Sequence, residues 1–172
     1  LLAAYAEILA SWAKNPDFTI NVTLFNRLPL HPQVNAILGD FTSMILLGVD
    51  NPAAETFFNR ARQIQRQLWT DLEHRTVSGI ETLRELARWQ GPQTGALMPI
   101  VFTSLLDLGA QGFCSPTLSL GRLGNVVYSV TQTPQVWLDY QVMEENGSLV
   151  INWDAVEEIF PPDLLDDMPA AY

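Results

Sequence analysis

The sequence predicts an α+β fold in which helices flank a mixed β-sheet, and three observations support this. Apolar residues recur at helical spacing in some segments and alternate with a period of two in others. The predicted helices and strands follow one another irregularly and are joined by long connections. The 172 residues are 48% hydrophobic and 16% charged, which is enough apolar surface for a packed core and excludes a disordered chain.

The first segments predict one helix and two strands. Residues 1–13 carry apolar side chains every three or four positions, which is typical of an amphipathic helix. Residues 18–26 are rich in β-branched and aromatic residues and predict a strand, with Ile20 on one face and Asn21 on the other. Residues 41–49 are apolar on both faces, which favours a central strand of the sheet.

Two further helices are predicted next. The first covers residues 52–75, with Asn51 as its N-cap and a proline at the first helical position. An apolar stripe along this helix is the face expected to pack on the sheet. The second covers residues 79–89, with Ser78 as its N-cap.

The second half of the chain is predicted to be mainly β-structure. Asn146-Gly147 between two apolar runs is a strong hairpin signal. Residues 107–124 contain four glycines and predict a long loop of the kind that is often functional. Asp154 is expected to cap a short helix, and Pro161-Pro162 to open the last one. The predicted strands are residues 98–106, 126–130, 135–143 and 149–153.

The charge balance and the cysteine count exclude several classes of protein. Nine basic against nineteen acidic residues give a formal charge of −10, so the clustered cations of a nucleic-acid-binding surface are not expected. Cys114 is the one cysteine, and a free thiol fits a reducing, cytoplasmic compartment. No apolar run approaches the roughly 18 residues of a membrane span. Because Leu1 lies inside a helical pattern and is not a methionine, we expect the chain to be part of a longer protein.

Candidate reactive side chains lie on two of the predicted strands. In residues 135–143 the alternation places Trp137, Asp139 and Gln141 on one face, and a carboxyl group in such surroundings can give or take a proton. An ordinary solvent-facing aspartate would show the same pattern. Thr103 and Ser104 end an apolar strand, where their hydroxyls can bind a substrate or merely cap the backbone.

Other sites of chemistry are not supported by the sequence. His31 and His74 lie far apart, without cysteine or acidic partners at ligand spacing, so no metal site is predicted. No Gly-x-Ser-x-Gly segment is present, and neither histidine is near the hydroxyls of the 98–104 segment, so a Ser-His-Asp triad is not predicted.

Three segments in a fixed order resemble a known family. They are GDFTSMILL at 39–47, MPIVFTS at 98–104 and QTPQVWLDYQ at 132–141. Together they resemble the heterocyclization domains of nonribosomal peptide synthetases, a branch of the condensation-domain superfamily. The opening helix, NVTLFNR at 21–27 and NWD at 152–154 fit the same family, so the resemblance covers nearly the whole chain.

The resemblance implies one lobe of a two-lobed domain. Members of the family have two lobes, each similar to chloramphenicol acetyltransferase, with a substrate tunnel between them. The match is to the C-terminal half, so residues 1–172 are expected to be the C-terminal lobe, a chloramphenicol-acetyltransferase-like α/β sandwich. The Asp-x4-Asp-x2-Ser motif of the N-terminal lobe is not in this sequence, so that lobe is expected outside this chain.

The activity implied by the resemblance is amide formation followed by ring closure. An upstream peptidyl carrier protein delivers an acyl or aminoacyl thioester, and a downstream one presents cysteine, serine or threonine, with an adenylation domain adjacent. The side chain attacks the new amide, water is lost, and a thiazoline or oxazoline forms, often on the way to a siderophore or peptide antibiotic. Both substrates ride on phosphopantetheine arms, so the domain is expected to need no cofactor of its own.

The resemblance also assigns roles to individual residues. Thr103 and Asp139 match the family's cyclodehydration pair, so Asp139 is expected to shuttle the proton while Thr103 orients that carboxyl or the intermediate. The further candidates for substrate binding are Asn21, Ser104, Gln141 and Trp137. Because the other lobe supplies half of the tunnel, the isolated lobe is expected to be inactive.

Two alternatives stay open at the level of sequence. The chain could be a lobe of an ordinary condensation domain or an epimerization-type relative, although the 39–42 and 133–139 segments argue against this. It could also be a non-catalytic module that only docks carrier proteins. The second alternative predicts that changes at Asp139 and Thr103 leave ring formation intact.

Overall fold

The computed structural model describes residues 1–50, 55–91, 97–106, 127–128, 133–145 and 147–172. Four α-helices and five strands are described within these ranges, together with two short 3₁₀ turns at Val34–Ala36 and Glu157–Ile159. The helices are α1 (Leu2–Trp12), α2 (Phe57–Glu73), α3 (Gly79–Gln90) and α4 (Leu164–Ala171). The strands are β1 (Phe18–Phe25), β2 (Thr42–Val49), β3 (Ile100–Ser104), β4 (Leu138–Glu145) and β5 (Ser148–Ala155).

The five strands form one mixed sheet in the order β2-β1-β3-β4-β5. Each end of the sheet is an antiparallel pair, β1 with β2 and β4 with β5. The centre is parallel, because β3 pairs in the same direction with both β1 and β4. The predicted α+β class, a mixed sheet with flanking helices, is confirmed.

One face of the sheet, called here the apolar face, packs against α1, α2 and α4. Side chains alternate along each strand, so every second residue of each strand points to this side. Helix α1 contributes the fully buried Tyr5, α2 contributes Ile64 and α4 contributes Met168. The buried strand residues of this face are Ile20, Val22, Ile45, Leu47, Val49, Phe102, Leu138, Tyr140 and Val142.

An aromatic cluster forms the centre of this core. The rings of Phe102 and Tyr140 stack on neighbouring strands, with centroids 5.0 Å apart and an interplanar angle of 10°. Tyr5 packs on both rings and meets Trp153 edge to face, at 5.3 Å between centroids. The Tyr140 hydroxyl donates to the hydroxyl of Tyr172 over 2.8 Å, which ties the end of the chain to the sheet.

The opposite side of the sheet carries polar residues and is called here the polar face. The polar residues at its centre are Asn21, Thr23, Thr103, Asp139, Gln141, Asn152 and Asp154. At the β2 end of this face, α3 packs on Met44 and Leu46. The approach is close, since a Cβ on Gly79 would lie 3.0 Å from Met44 Cγ and 3.2 Å from the Met44 carbonyl oxygen.

The start of α3 agrees with the sequence prediction. The Ser78 hydroxyl accepts from the backbone N–H of Glu81, and the Glu81 carboxylate accepts from the backbone N–H of Ser78. This reciprocal capping box satisfies two donors that a helix end otherwise leaves unpaired. Ser78 is therefore confirmed as the N-cap that holds α3 against β2.

The prediction of a central strand at residues 41–49 is wrong. The strand, β2, lies at one edge of the sheet that the described residues form. It is nevertheless covered on both sides, because α2 packs on its apolar-face residues and Gly79 of α3 packs on Met44 and Leu46. Double coverage by helices produces the same apolar pattern as a central position in a sheet.

Two helices predicted from their capping residues differ in the structure. Helix α2 begins at Phe57, with the Thr56 hydroxyl accepting from Asn59 N–H as the N-cap contact. The predicted cap and first residue, Asn51 and Pro52, lie outside the described residues. Asp154 does not cap a helix, because β5 continues through it to Ala155. The segment pairs with β4 instead, so its backbone groups are bonded across the strands. The short 3₁₀ turn begins only after Val156.

Some predicted elements lie partly or wholly outside the described residues. These are the Asn51-Pro52 helix start, the 107–124 loop and most of the 126–130 strand. The hairpin signal at Asn146-Gly147 agrees with the pairing of β4 with β5, and Gly147 has the positive φ of 77° that such turns need.

We expect Gly79→Ala to lower the free energy of unfolding by about 1–3 kcal/mol, because the new methyl group must displace backbone as well as the Met44 side chain. Equilibrium urea unfolding measures this. The matched control is Gly48→Ala on β2, the strand that α3 packs on, where a Cβ would meet nothing within 4 Å. Equal stability of the two variants would show that α3 does not pack on β2 in this way.

We expect stability to fall with rising pH above about 10, the ordinary pKa of tyrosine. Burial, then the charge of Asp139, then Tyr140 raise the pKa of Tyr5 far above that value. The folded protein therefore holds this proton after the unfolded chain has lost it, so the free energy of unfolding decreases as pH rises. Tyr5→Phe should flatten this slope in urea titrations from about pH 8 to 11. A slope as steep as that of the wild type would contradict the assignment.

Candidate active site

The candidate site is a row of side chains that crosses the polar face. The strand register pairs Asn21 with Val101, Val101 with Asp139, and Asp139 with Asp154. Residues directly opposite one another in a sheet point to the same face. The row therefore brings one carboxamide and two carboxyl groups together from β1, β4 and β5.

A second row lies one step along the strands. Thr103 pairs with Gln141, and Gln141 pairs with Asn152. On the β1 side, the Thr103 hydroxyl donates to the Thr23 hydroxyl over 3.0 Å. This row supplies hydroxyl and carboxamide groups beside the carboxyl groups of the first.

Asp139 is buried in the polar face, with 8% of its surface exposed. The Gln141 carboxamide donates from Nε2 to Oδ2 of Asp139 over 2.9 Å. The two residues are neighbours on one face because they are two positions apart on β4. A hydrogen bond to a buried carboxylate fixes its orientation, so Gln141 positions this group.

Thr103 and Asp139 share the face and lie on adjacent strands. Strand spacing and rise place their Cα atoms roughly 8 Å apart, one row and one strand from each other. The observed hydrogen bond of Thr103 goes to Thr23. The two side chains therefore flank one patch of the polar face, where a bound intermediate could touch both.

Asn21 lies on the same face as Asp139, across Val101, and Trp137 lies just before β4. Asn21 is 8% exposed, and its Oδ1 has no hydrogen-bond partner among the described residues. A buried carboxamide oxygen without a partner is unfavourable by about 1–3 kcal/mol unless something donates to it. Trp137 precedes β4, is 43% exposed, and is held by its backbone N–H bond to the Pro99 carbonyl at 2.8 Å.

Ser104 is not brought to this patch. It pairs with Val142, whose side chain is fully buried in the apolar face, so Ser104 lies on that side. Ser104 and Thr103 therefore lie on opposite faces of the sheet, and substrate binding by Ser104 stays a prediction. Consecutive residues of a strand point to opposite faces, and only Thr103 of the two hydroxyl residues can share a face with Asp139.

The structure adds three residues that the sequence reasoning missed: Thr23, Asn152 and Asp154. Asp154 lies opposite Asp139, where a helix cap was expected. The hairpin signal contains this information. A two-residue loop, as predicted from the sequence, requires Glu145 to pair with Ser148 and hence Asp139 with Asp154, and these pairs are observed. The contact of Thr23 with Thr103 depends on the parallel pairing of distant strands, for which no local signal exists.

Within the described ranges, no group of three or more His, Cys, Asp or Glu side chains could hold a metal ion. None of the helices described is long and apolar enough to cross a membrane.

We expect Thr23→Val and Thr103→Val to be coupled. Valine keeps the shape but not the hydroxyl, so each single change leaves the partner hydroxyl unpaired and lowers the free energy of unfolding by about 1 kcal/mol. The double variant should lose less than the sum, by about 0.5 kcal/mol or more, in urea unfolding. Strictly additive losses would mean that the two hydroxyls do not interact.

The chain is similar in sequence to known proteins along nearly its whole length. No family model matches the chain. It is 45% identical over 168 residues to phenyloxazoline synthase MbtB of Mycolicibacterium paratuberculosis, covering 98% of this chain and 14% of that protein. It is also 45% identical over 161 residues to pyochelin synthetase PchF of Pseudomonas aeruginosa, covering 93% of this chain and 9% of that protein. The chain thus spans about a seventh or less of these curated relatives.

Solved structures that are similar to the chain fall into two groups by sequence identity. The cyclization-docking bidomain of the EpoB nonribosomal peptide synthetase from Sorangium cellulosum is 53% identical, with a TM-score of 0.86 over 99% of this chain and 34% of the bidomain. Condensation and epimerization domains at 12–20% identity have TM-scores of 0.61–0.63 and share the fold alone. The chain therefore belongs to the heterocyclization branch of the nonribosomal peptide synthetase condensation-domain family, as one chloramphenicol-acetyltransferase-like lobe.

Proposed function

We propose that residues 1–172 are the C-terminal lobe of a heterocyclization domain. The complete domain would join a carrier-bound acyl group to carrier-bound cysteine, serine or threonine. It would then cyclise and dehydrate the amide to a thiazoline or oxazoline. The observation that carries the proposal is the patch of the polar face flanked by Asp139 and Thr103.

In this proposal Asp139 moves the protons of ring formation. Ring closure takes a proton from a thiol or hydroxyl, and dehydration gives one to a departing hydroxyl group. A positioned carboxyl group can do both in turn and typically contributes 10²–10⁴-fold. Its burial and the hydrogen bond from Gln141 support the role, because both hold the carboxyl group in one orientation.

Thr103 and Asn21 would position the reacting amide rather than carry protons. The Thr103 hydroxyl is anchored by Thr23, so it is held at a fixed place beside the patch. The Asn21 carbonyl oxygen can accept a hydrogen bond from a substrate N–H group. Trp137, which is partly exposed just before β4, can pack against an apolar part of the acyl chain.

The partners of the lobe follow from the same proposal. The N-terminal lobe would cover the polar face and complete the tunnel, so this lobe alone would be inactive. Upstream and downstream peptidyl carrier proteins would deliver both substrates on phosphopantetheine arms, with an adenylation domain adjacent. The reaction as proposed is proton transfer and loss of water, so the domain needs no cofactor of its own.

An ordinary condensation domain, which forms the amide alone, is the second candidate. The identity of 53% to a cyclization domain against 12–20% to condensation and epimerization domains favours the heterocyclization assignment. A docking module without chemistry would have no use for a buried carboxyl group on the polar face, where a solvent-exposed polar residue would be more stable.

The proposal is tested with Asp139→Asn in the intact two-lobed protein supplied with loaded carriers. We expect ring formation to fall by at least about 100-fold, while the uncyclised amide still forms and accumulates. Mass spectrometry of the carrier-bound products separates the two species. The matched control is Glu144→Gln, an exposed acid on the same strand whose side chain alternates to the other face.

Each result has a distinct meaning. Ring formation at the wild-type rate in Asp139→Asn would refute the assignment of Asp139. Failure of Glu144→Gln as well would point to loss of fold or of carrier docking. Loss of amide and ring together in Asp139→Asn alone would favour a role in condensation over one in cyclodehydration.

A further inference from the structure

We propose that Asp154 is a second acid–base residue of the ring-forming site, acting together with Asp139. This inference rests on the proposed function and deepens it. Neither the sequence motifs nor the relatives' names assign Asp154 a role. The strand register carries the argument.

The register makes the two carboxyl groups direct neighbours. Asp139 of β4 pairs with Asp154 of β5, and directly opposite residues in an antiparallel pair have Cβ atoms about 4.5–5.5 Å apart. Both side chains lie on the polar face, and Asp154 is only partly buried. A substrate bound against Asp139 therefore lies within reach of Asp154.

Two carboxyl groups directly opposite one another are unusual in a sheet. Like charges at such positions destabilise the strand pair, other things being equal. The other acid whose side chain is described on β4, Glu144, is exposed and pairs with Leu149. Residues that cost stability and cluster on one face are typical of functional sites.

A second observation points to a ligand at the same row. Asn21, two strands from Asp139 across Val101, is 8% exposed and has a side-chain oxygen without a partner in the described part of the chain. A bound group with an N–H donor would satisfy that oxygen. The amide that undergoes ring closure is such a group, and it would lie along the row toward the two acids.

The chemistry requires two proton movements that balance. In ring closure the bond from sulfur or oxygen to the amide carbon forms, the carbonyl π bond breaks, and the thiol or hydroxyl proton ends on the former carbonyl oxygen. In dehydration the bond from this carbon to the former carbonyl oxygen breaks and the carbon–nitrogen double bond forms. The amide N–H proton leaves with the hydroxyl group as water. No oxidant, reductant or further reactant is needed.

Two carboxyl groups suit these two reaction steps, because each step takes a proton from one atom and gives a proton to another. In dehydration, Asp154 would accept the N–H proton while Asp139 donates to the departing hydroxyl. A proton then passes from Asp154 to Asp139 across the strand pair and restores both groups. Condensation uses a different bond, so it does not depend on this pair.

The test uses Asp154→Asn in the intact two-lobed protein with loaded carriers, compared with Asp139→Asn and Glu144→Gln. We expect Asp154→Asn to slow ring formation at least about tenfold while amide formation changes less than about twofold. Asp154→Glu should recover part of the ring-forming rate, because it restores the carboxyl group. A purely structural role would affect amide and ring alike, and thermal unfolding would record it.

The outcomes separate the two proposals. Asp154→Asn could keep the wild-type ratio of ring to amide product while Asp139→Asn lowers it. That result overturns this inference and leaves the proposed function intact. Normal ratios in both variants overturn the proposed function itself. Parallel loss of amide, ring and thermal stability in Asp154→Asn, without recovery in Asp154→Glu, also overturns the inference, because Asp154 would then be structural.

Discussion

The parallel pairing of β3 with β4 is the constraint on which the rest of the lobe depends. Its register sets Val101 against Asp139 and Phe102 against Tyr140. The second pair becomes the stacked centre of the aromatic core, and the first becomes the middle of the polar row. A slip of one residue would exchange the faces, burying a carboxyl group in the core and exposing the tyrosine. Core packing therefore also fixes the place of the candidate reactive group.

The two faces of the sheet are linked through the backbone as well. The Tyr5 hydroxyl contacts the Val101 carbonyl from the apolar face, while the Asp139 carboxyl is held on the polar face by Gln141. The negative charge of Asp139 contributes to the raised pKa of Tyr5, so the two groups interact across the thickness of the sheet. A rigid aromatic layer beneath the row keeps its polar side chains at fixed positions, as a site that transfers protons requires.

The sequence alone predicts the parts of the site that depend on local pattern. Two-residue alternation puts Asp139 and Gln141 on one face, and the same rule applied strictly separates Ser104 from Thr103. The hairpin signal at Asn146-Gly147 contains the pairing of Asp139 with Asp154, which competed with a plausible helix cap at Asp154. The edge position of β2 and the contact of Thr23 with Thr103 depend on which distant strands and helices meet. An apolar segment looks the same whether strands or helices cover it.

In the proposed function, the polar face works when a second lobe covers it. An acid that transfers protons needs its substrate within hydrogen-bond distance and bulk water kept away, since water weakens every electrostatic interaction in a site. Neighbouring side chains already limit the exposure of Asp139 and Asn21 to 8% each. Asp154 on the outer strand is less covered, so a second wall over the face would change its surroundings most. In the proposed two-lobed domain, the second lobe would exclude water from both Asp139 and Asp154. Ring formation would then depend on contact between the two lobes over this row of the polar face.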